Sequence, residues 1–203
     1  MSEYDPLIPD ARGPVADDLE RVQETFAAAS RPYLASPWSW FAWAVVLPAA
    51  ALGTPLANRV RGGMGVLLLW SFAILIGGVV EMAPLLGGGR GARPGTTPLA
   101  SWVLRVQGNL SLVAAAISVV LVIHDLAWAL PGLWLLLLGH SLYQLGGLAF
   151  RAFRVCGLVY QIGGLIALWP QAQPLLVFAA ATALGNLWVG AAVLRRRLEP
   201  QSA

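Results

Sequence analysis

Charged side chains inside apolar stretches are the residues of this sequence best suited to chemistry. Glu81 and Arg105 occupy two consecutive apolar stretches, at similar distances from the segment that joins them. A charge in hydrocarbon is costly and normally finds a partner or a watery cavity. The sequence therefore predicts an ion pair between Glu81 and Arg105. Either Glu81 exchanges a proton or binds a cationic group while Arg105 favours its charged form, or the pair only fixes helix register.

Further polar side chains fall in the same half of the predicted membrane layer, which predicts a polar cavity that opens toward the cytoplasm. His140 lies nearer the middle of the layer, where we expect it to hydrogen-bond across the bundle. The candidate ligand or proton site consists of Glu81, Arg105, Asn109, His140, Gln144, Gln161 and Asn186.

A short repeat links two of these candidates. The sequence YQLGGL at residues 143–148 returns as YQIGGL at residues 160–165. The predicted helices run in opposite directions, so Gln144 and Gln161 are expected at the same depth. Paired glycines allow close helix contact, and facing amides can bond across it. The repeat predicts either a packing seam or a polar ligand site shared by the two helices.

Other kinds of chemistry find little support. The two histidines, His124 and His140, differ in predicted depth, and Cys156 is the sole cysteine, so we predict no metal site and no cofactor. Ser141 follows His140 directly, and adjacent helical residues point about 100° apart, so the two cannot act as nucleophile and base. We predict no catalytic residue, and an enzyme is the least supported class. The arginines are scattered over short loops, so we predict no nucleic-acid binding.

The elements that must position these residues are apolar helices. Apolar residues make up 58% of the 203 residues and charged residues 11%, far from the roughly half and one quarter of soluble proteins. Apolar stretches of about 20 residues are long enough to cross a bilayer. The sequence predicts an all-α polytopic membrane protein, a six-helix transmembrane bundle. Its predicted spans are residues 38–57, 63–86, 102–123, 132–150, 153–169 and 175–194.

Arginine placement predicts the orientation of this bundle. With the N-terminus inside, eleven arginines lie on the inner side, and only Arg59 and Arg61 lie outside. Positive flanks are retained in the cytoplasm, so we predict a multi-pass protein of the bacterial inner membrane with both termini cytoplasmic. The predicted divisions are an acidic cytoplasmic tail over residues 1–37, a membrane domain over 38–197 and a C-terminal tail over 198–203.

The acidic tail contains a predicted amphipathic helix. Its apolar residues recur at steps of three and four, as on one face of a helix. They are Val15, Leu19, Val22, Phe26 and Ala29. The opposite face is acidic, whereas a helix that lies on anionic lipid is usually basic. We therefore expect this helix to pack against the arginine-bearing loops of its own chain, or to dock a protein partner.

Two classes of function follow from this architecture. Six spans preceded by an amphipathic helix are similar, in architecture alone, to the permease subunits of some ABC exporters. The first hypothesis is a small membrane protein that transports or senses a small solute, or a transporter membrane subunit, acting through the inward-facing polar cavity. The alternative is a non-transporting interaction or regulatory protein whose N-terminal helix docks a partner. The expected partners are the lipid bilayer, a protein partner and a second copy of the chain.

Overall fold

The computed structural model describes residues 36–86, 98–148 and 150–198, and each element in these ranges is helical. The helices are α1 (Pro37–Leu86), α2 (Pro98–Ile123), α3 (Leu130–Leu148), α4 (Arg151–Ala167) and α5 (Pro174–Leu198), with a 3-10 turn over Ala127–Ala129. The predicted all-α class is confirmed. The predicted amphipathic helix before the first span, the segment 87–97 and the C-terminal tail beyond Leu198 lie outside the described residues.

Helix α1 folds back on itself in its middle. Arg61 and Gly62 leave helical geometry, and Gly62 has φ 58° and ψ −149°, a conformation that glycine adopts without a steric penalty. The Trp70 indole donates to Thr54 Oγ1 at 3.0 Å, although sixteen residues of straight helix would separate them by about 24 Å. Gly77 also contacts the Trp43 ring, although the two residues are far apart in sequence. Residues on either side of Gly62 therefore form two antiparallel limbs, which match the predicted spans 38–57 and 63–86.

The second chain reversal separates α2 from α3. Asp125 adopts φ 59°, and the 3-10 turn leads directly into α3. The Trp134 indole donates to Ser118 Oγ at 3.1 Å across this reversal. Ala114 is the one fully buried residue of α2 within its described side chains. Helix α2 is therefore held mainly near the reversal, and most of its surface is exposed.

Helices α3 and α4 pack along a seam of glycines. Gly132, Gly139 and Gly146 recur every seven residues on α3. Gly132 faces Gly164 and Gly139 faces Gly157, also seven apart on α4, whereas Gly146 lies against the Arg154 backbone. A side-chain carbon at Gly139 would lie 2.8 Å from the carbonyl oxygen of Gly157. Backbones in such close contact leave no room for a side chain, and a seven-residue repeat is the spacing of left-handed helix pairs.

Helix α5 joins this pair to the α1 hairpin. Gly190 of α5 lies against Phe41 in the first limb, and the ring centroids of Trp70 and Phe178 are 5.7 Å apart. Both limbs of α1 therefore pack on α5. The reversals at Gly62 and Asp125 and the 168–173 loop lie at one end of the described helices, called here the Asp125 end. The α3–α4 turn lies at the other, the Phe150 end.

Among the described residues, two helices are long and apolar enough to span a membrane, over Pro37–Val80 and Pro174–Arg196. The first would reach about 66 Å if straight, about twice the hydrocarbon thickness of a bilayer, and the reversal at Gly62 divides it. Only 17% of its most apolar stretch is buried, whereas the core helix of a soluble protein is mostly buried. Large exposed apolar side chains such as Leu67, Phe72 and Leu75 favour association with a membrane.

Candidate functional site

A small polar cluster is buried between α4 and α5. Asn186 is 3% exposed, and its neighbour Gly185 lies against the Tyr160 ring and the Cys156 sulfur. A side-chain carbon at Gly185 would be 2.5 Å from the ring and 2.7 Å from Sγ. The Tyr160 hydroxyl interacts with the side chains of Asn186 and Cys156. Because residue 185 has no side chain, Tyr160 and Cys156 of α4 can pack against α5 beside Asn186.

The polar atoms of this cluster are not all satisfied. Thr182 is fully buried, and its hydroxyl donates to the Phe178 carbonyl at 2.7 Å. Asn186 interacts with Tyr160, but its buried Nδ2 has no hydrogen bond of acceptable distance and angle. A buried donor without a well-aligned partner costs about 1–3 kcal/mol. Among the predicted site residues whose side chains are described, Asn186 is therefore the one that lies in the interior with an unpaired donor.

The other predicted site residues are spread over the bundle. Arg105, Asn109, His140 and Gln144 are exposed, and Gln161 is half-buried. Glu81 lies in the second limb of α1, but its side chain is outside the description, so its ion pair with Arg105 stays a prediction. Of the predicted site residues with described side chains, only Asn186 belongs to the buried polar cluster.

The exposed candidates on α2 lie on the side turned away from the bundle. Arg105 precedes the buried Ala114 by nine residues, about two and a half helical turns, so the two lie on opposite faces. Asn109 follows Arg105 by four residues and shares its face. Arg105 and Asn109 therefore lie on the outer surface of the bundle.

The exposed candidates on α3 lie at about the same position along the helix axis as Asn109 on α2. Asn109 is nine residues from Ser118, and Gln144 is ten residues from Trp134. The Ser118–Trp134 bond joins the two helices, so both amides lie about 14 Å from it, toward the Phe150 end. His140 is exposed one turn from Gln144. We call Arg105, Asn109, His140 and Gln144 the α2–α3 polar surface.

The repeated YQ motifs do not face each other. Tyr143 packs against Gly157, and Gln161 packs against Gly139. Gln144 and Gln161 are therefore offset by about five residues, or about 7.5 Å along the helices. The glycines of the motifs do belong to close contacts: Gly146 lies against Arg154, and Gly164 against Leu136. The repeat supplies packing contacts, and the two amides have different surroundings.

Two tryptophan bonds were missed by the sequence reasoning. Thr54 donates to the Ala50 carbonyl and accepts from Trp70, and Ser118 donates to the Ala114 carbonyl and accepts from Trp134. In both hairpins the hydroxyl and the indole are sixteen residues apart. That equal spacing across two predicted turns is a signal that could have revealed them.

Within the described ranges, no three histidine, cysteine, aspartate or glutamate side chains lie close enough together to hold a metal ion. A shallow, mostly apolar depression lies at the Asp125 end, lined by Leu165, Ile166, Trp169, Gln171 and Ala172. Neither this depression nor the buried cluster brings together an acid, a base and a nucleophile.

Comparisons with known proteins give no match: no family model, curated protein or solved structure is similar to this chain.

Proposed function

We propose that this chain is a multi-pass protein of the bacterial inner membrane that crosses the bilayer six times. Six helical segments support this proposal, counting the two limbs of α1. At the Phe150 end, Arg151, Arg154, Arg195 and Arg196 outnumber Arg59 and Arg61 at the Asp125 end, and the end richer in arginine is the cytoplasmic one. Both termini are then cytoplasmic.

Within this membrane setting, we propose that the protein is a non-transporting interaction or regulatory protein. The observation that carries the proposal is the outward position of the α2–α3 polar surface. Ionisable and amide side chains at membrane depth almost always face protein or a watery cavity, because lipid offers them no hydrogen bonds. On α2, the exposed amide of Asn109 faces away from the described helices, so another protein segment can supply its hydrogen bonds.

The expected partner element is a membrane helix that carries hydrogen-bonding side chains. Asn109 and Gln144 both donate and accept, and bonds of this kind contribute about 0.6–2 kcal/mol each between membrane helices. Gly108 has open space where a side chain would lie, so a partner backbone can approach α2 closely. Docking through the N-terminal amphipathic helix remains a second prediction for the same class of protein.

Replacing both amides of the α2–α3 polar surface tests the interaction role. We expect Asn109→Leu with Gln144→Leu to dissociate the complex that the protein forms in native membranes, because the hydrogen bonds that hold it are lost. Cross-linking in membranes followed by native electrophoresis measures the shift from complex to monomer. The matched control is Asn58→Leu with Gln171→Leu, two exposed amides at the Asp125 end. A complex of unchanged size in the first variant contradicts the proposal.

Transport or sensing of a small solute is the second candidate, favoured by the unsatisfied amide of Asn186. If that amide does not bind a solute, we expect Asn186→Leu to keep or raise thermal stability and leave uptake unchanged, since it removes an unpaired buried donor that costs about 1–3 kcal/mol. Thermal unfolding in detergent micelles and solute uptake by vesicles are measured on the same variant. Lost uptake with unchanged stability supports transport over the interaction role.

A further inference from the structure

Arginines of α4 and α5 lie at the Phe150 end. The Arg196 guanidinium of α5 lies 4.3 Å from the centre of the Phe150 ring, and Phe150 directly precedes Arg151 at the start of α4. The Arg154 guanidinium lies 5.7 Å from the centre of the Tyr143 ring. All three arginines are exposed, as is Arg195. We call Arg151, Arg154, Arg195 and Arg196 the Phe150 basic cluster.

The positive charge of this cluster is not compensated by the described part of the chain. Asp125 is the one acidic residue whose side chain the structure describes, and this residue lies at the opposite end of the bundle. The aromatic rings under Arg154 and Arg196 hold the guanidinium groups by cation–π contacts and leave their N–H edges free to donate. Such groups match the oxygens of a phosphate.

We propose that the Phe150 basic cluster binds the phosphate of an anionic phospholipid. The exposed apolar side chains beside it favour a lipid over a free anion: Leu194 and Leu198 flank Arg195 and Arg196 on α5, and Leu198 is 74% exposed. Leu158 is exposed one turn beyond Arg154 on α4. A headgroup phosphate can contact the guanidinium groups while its acyl chains lie along these leucines. Basic pockets between membrane helices commonly bind lipid in this way.

This inference rests on the proposed membrane insertion and is independent of the proposed interaction role. The competing occupant is the acidic N-terminal segment of the same chain. If the bundle spans the membrane as proposed, the cluster lies at the level of the lipid headgroups, and a cytoplasmic Phe150 end places it in the leaflet where anionic lipids attract basic residues. Lipid is present there at high local concentration, so we assign the cluster to lipid, and the experiment includes the acidic segment as an alternative.

Native mass spectrometry of the full chain in detergent micelles tests the proposal. The probes are phosphatidylglycerol, phosphatidylcholine with the same acyl chains, and inorganic phosphate. The test variant is Arg151→Gln with Arg154→Gln and Arg196→Gln; the same three positions changed to lysine keep the charge. The matched control is Arg59→Gln with Arg61→Gln, two exposed arginines at the other end. A further full-length variant neutralises Asp17, Asp18, Glu20 and Glu24 as Asn or Gln.

We expect phosphatidylglycerol to bind the wild-type chain and the control variant equally, and phosphatidylcholine to bind neither with comparable affinity. Each basic residue near an anionic surface strengthens binding roughly fivefold, so the glutamine variant should lose affinity about a hundredfold. The lysine variant should keep most of the wild-type affinity. Its binding would show that the glutamine variant is weakened by the loss of charge and not by misfolding. Three results would overturn the proposal. They are unchanged affinity in the glutamine variant, displacement of the lipid by equal concentrations of inorganic phosphate, and lipid binding only after the acidic residues are neutralised.

Discussion

Replacing Leu75 by arginine should prevent stable insertion of the second limb of α1. Leu75 is 62% exposed and lies thirteen residues from the reversal at Gly62, near the middle of its limb. An arginine at the centre of a membrane helix costs about 2.5–3.5 kcal/mol on insertion scales, a shift of about a hundredfold in the insertion equilibrium. The fraction of protein that resists alkaline extraction from membranes measures the effect.

The control for this change is Val60→Arg. Val60 is 69% exposed and stands between Arg59 and Arg61 at the reversal, where a third arginine can reach water. We expect this variant to insert like the wild-type chain. In a water-soluble protein, both changes would fall on exposed positions and alter stability by about 0.5 kcal/mol or less. Normal extraction behaviour and normal stability of Leu75→Arg would therefore contradict membrane insertion of this limb.

Gly157→Ala should destabilise the bundle by about 2 kcal/mol. The added carbon would lie 2.6 Å from the backbone nitrogen of Tyr143 and 2.7 Å from the carbonyl oxygen of Gly139. Backbone atoms cannot rotate away as a flexible side chain can, so α3 and α4 must separate. Overpacking of this kind costs about 1–3 kcal/mol. The midpoint of thermal unfolding in detergent micelles measures the loss.

Gly108→Ala is the matched control, because the same change at that glycine meets open space. Alanine stabilises a helix relative to glycine by about 0.5–1 kcal/mol, so this variant should be more stable than the wild-type chain. The two alanine substitutions are therefore expected to have opposite signs. An equal gain in stability from both would show that the α3–α4 seam is not closely packed.

The helices of this fold could be predicted from the sequence because hydropathy and chain reversals are local properties. The predicted spans 102–123 and 153–169 fall within a few residues of α2 and α4. The reversal at Gly62 separates two limbs where the sequence predicts a short loop over residues 58–62. Glycine pairs were also expected to mark close helix contact, and Gly146 and Gly164 lie in such contacts.

The arrangement of the candidate site could be predicted less well, because it depends on helix rotation and on register between helices. Depth alone placed Asn109, Gln144 and Asn186 in one predicted cavity. The structure exposes Asn109 and Gln144 and buries Asn186 against Tyr160. Equal depth could not reveal the offset of Gln144 from Gln161 either, since the register of α3 and α4 follows the seven-residue glycine spacing and not the YQ motif. The ion pair of Glu81 with Arg105 stays a prediction.

The two tryptophan bonds also bear on how the chain is assembled during synthesis. Each hairpin contains its own acceptor for the indole, Thr54 for Trp70 and Ser118 for Trp134. An indole N–H that enters hydrocarbon without an acceptor is penalised, and here the acceptor has already left the ribosome sixteen residues earlier. Under the proposed membrane insertion, each hairpin can therefore leave the insertion machinery with its indole satisfied, before α4 and α5 exist. Assembly of this protein is then expected to proceed by pairs of helices and not by single spans.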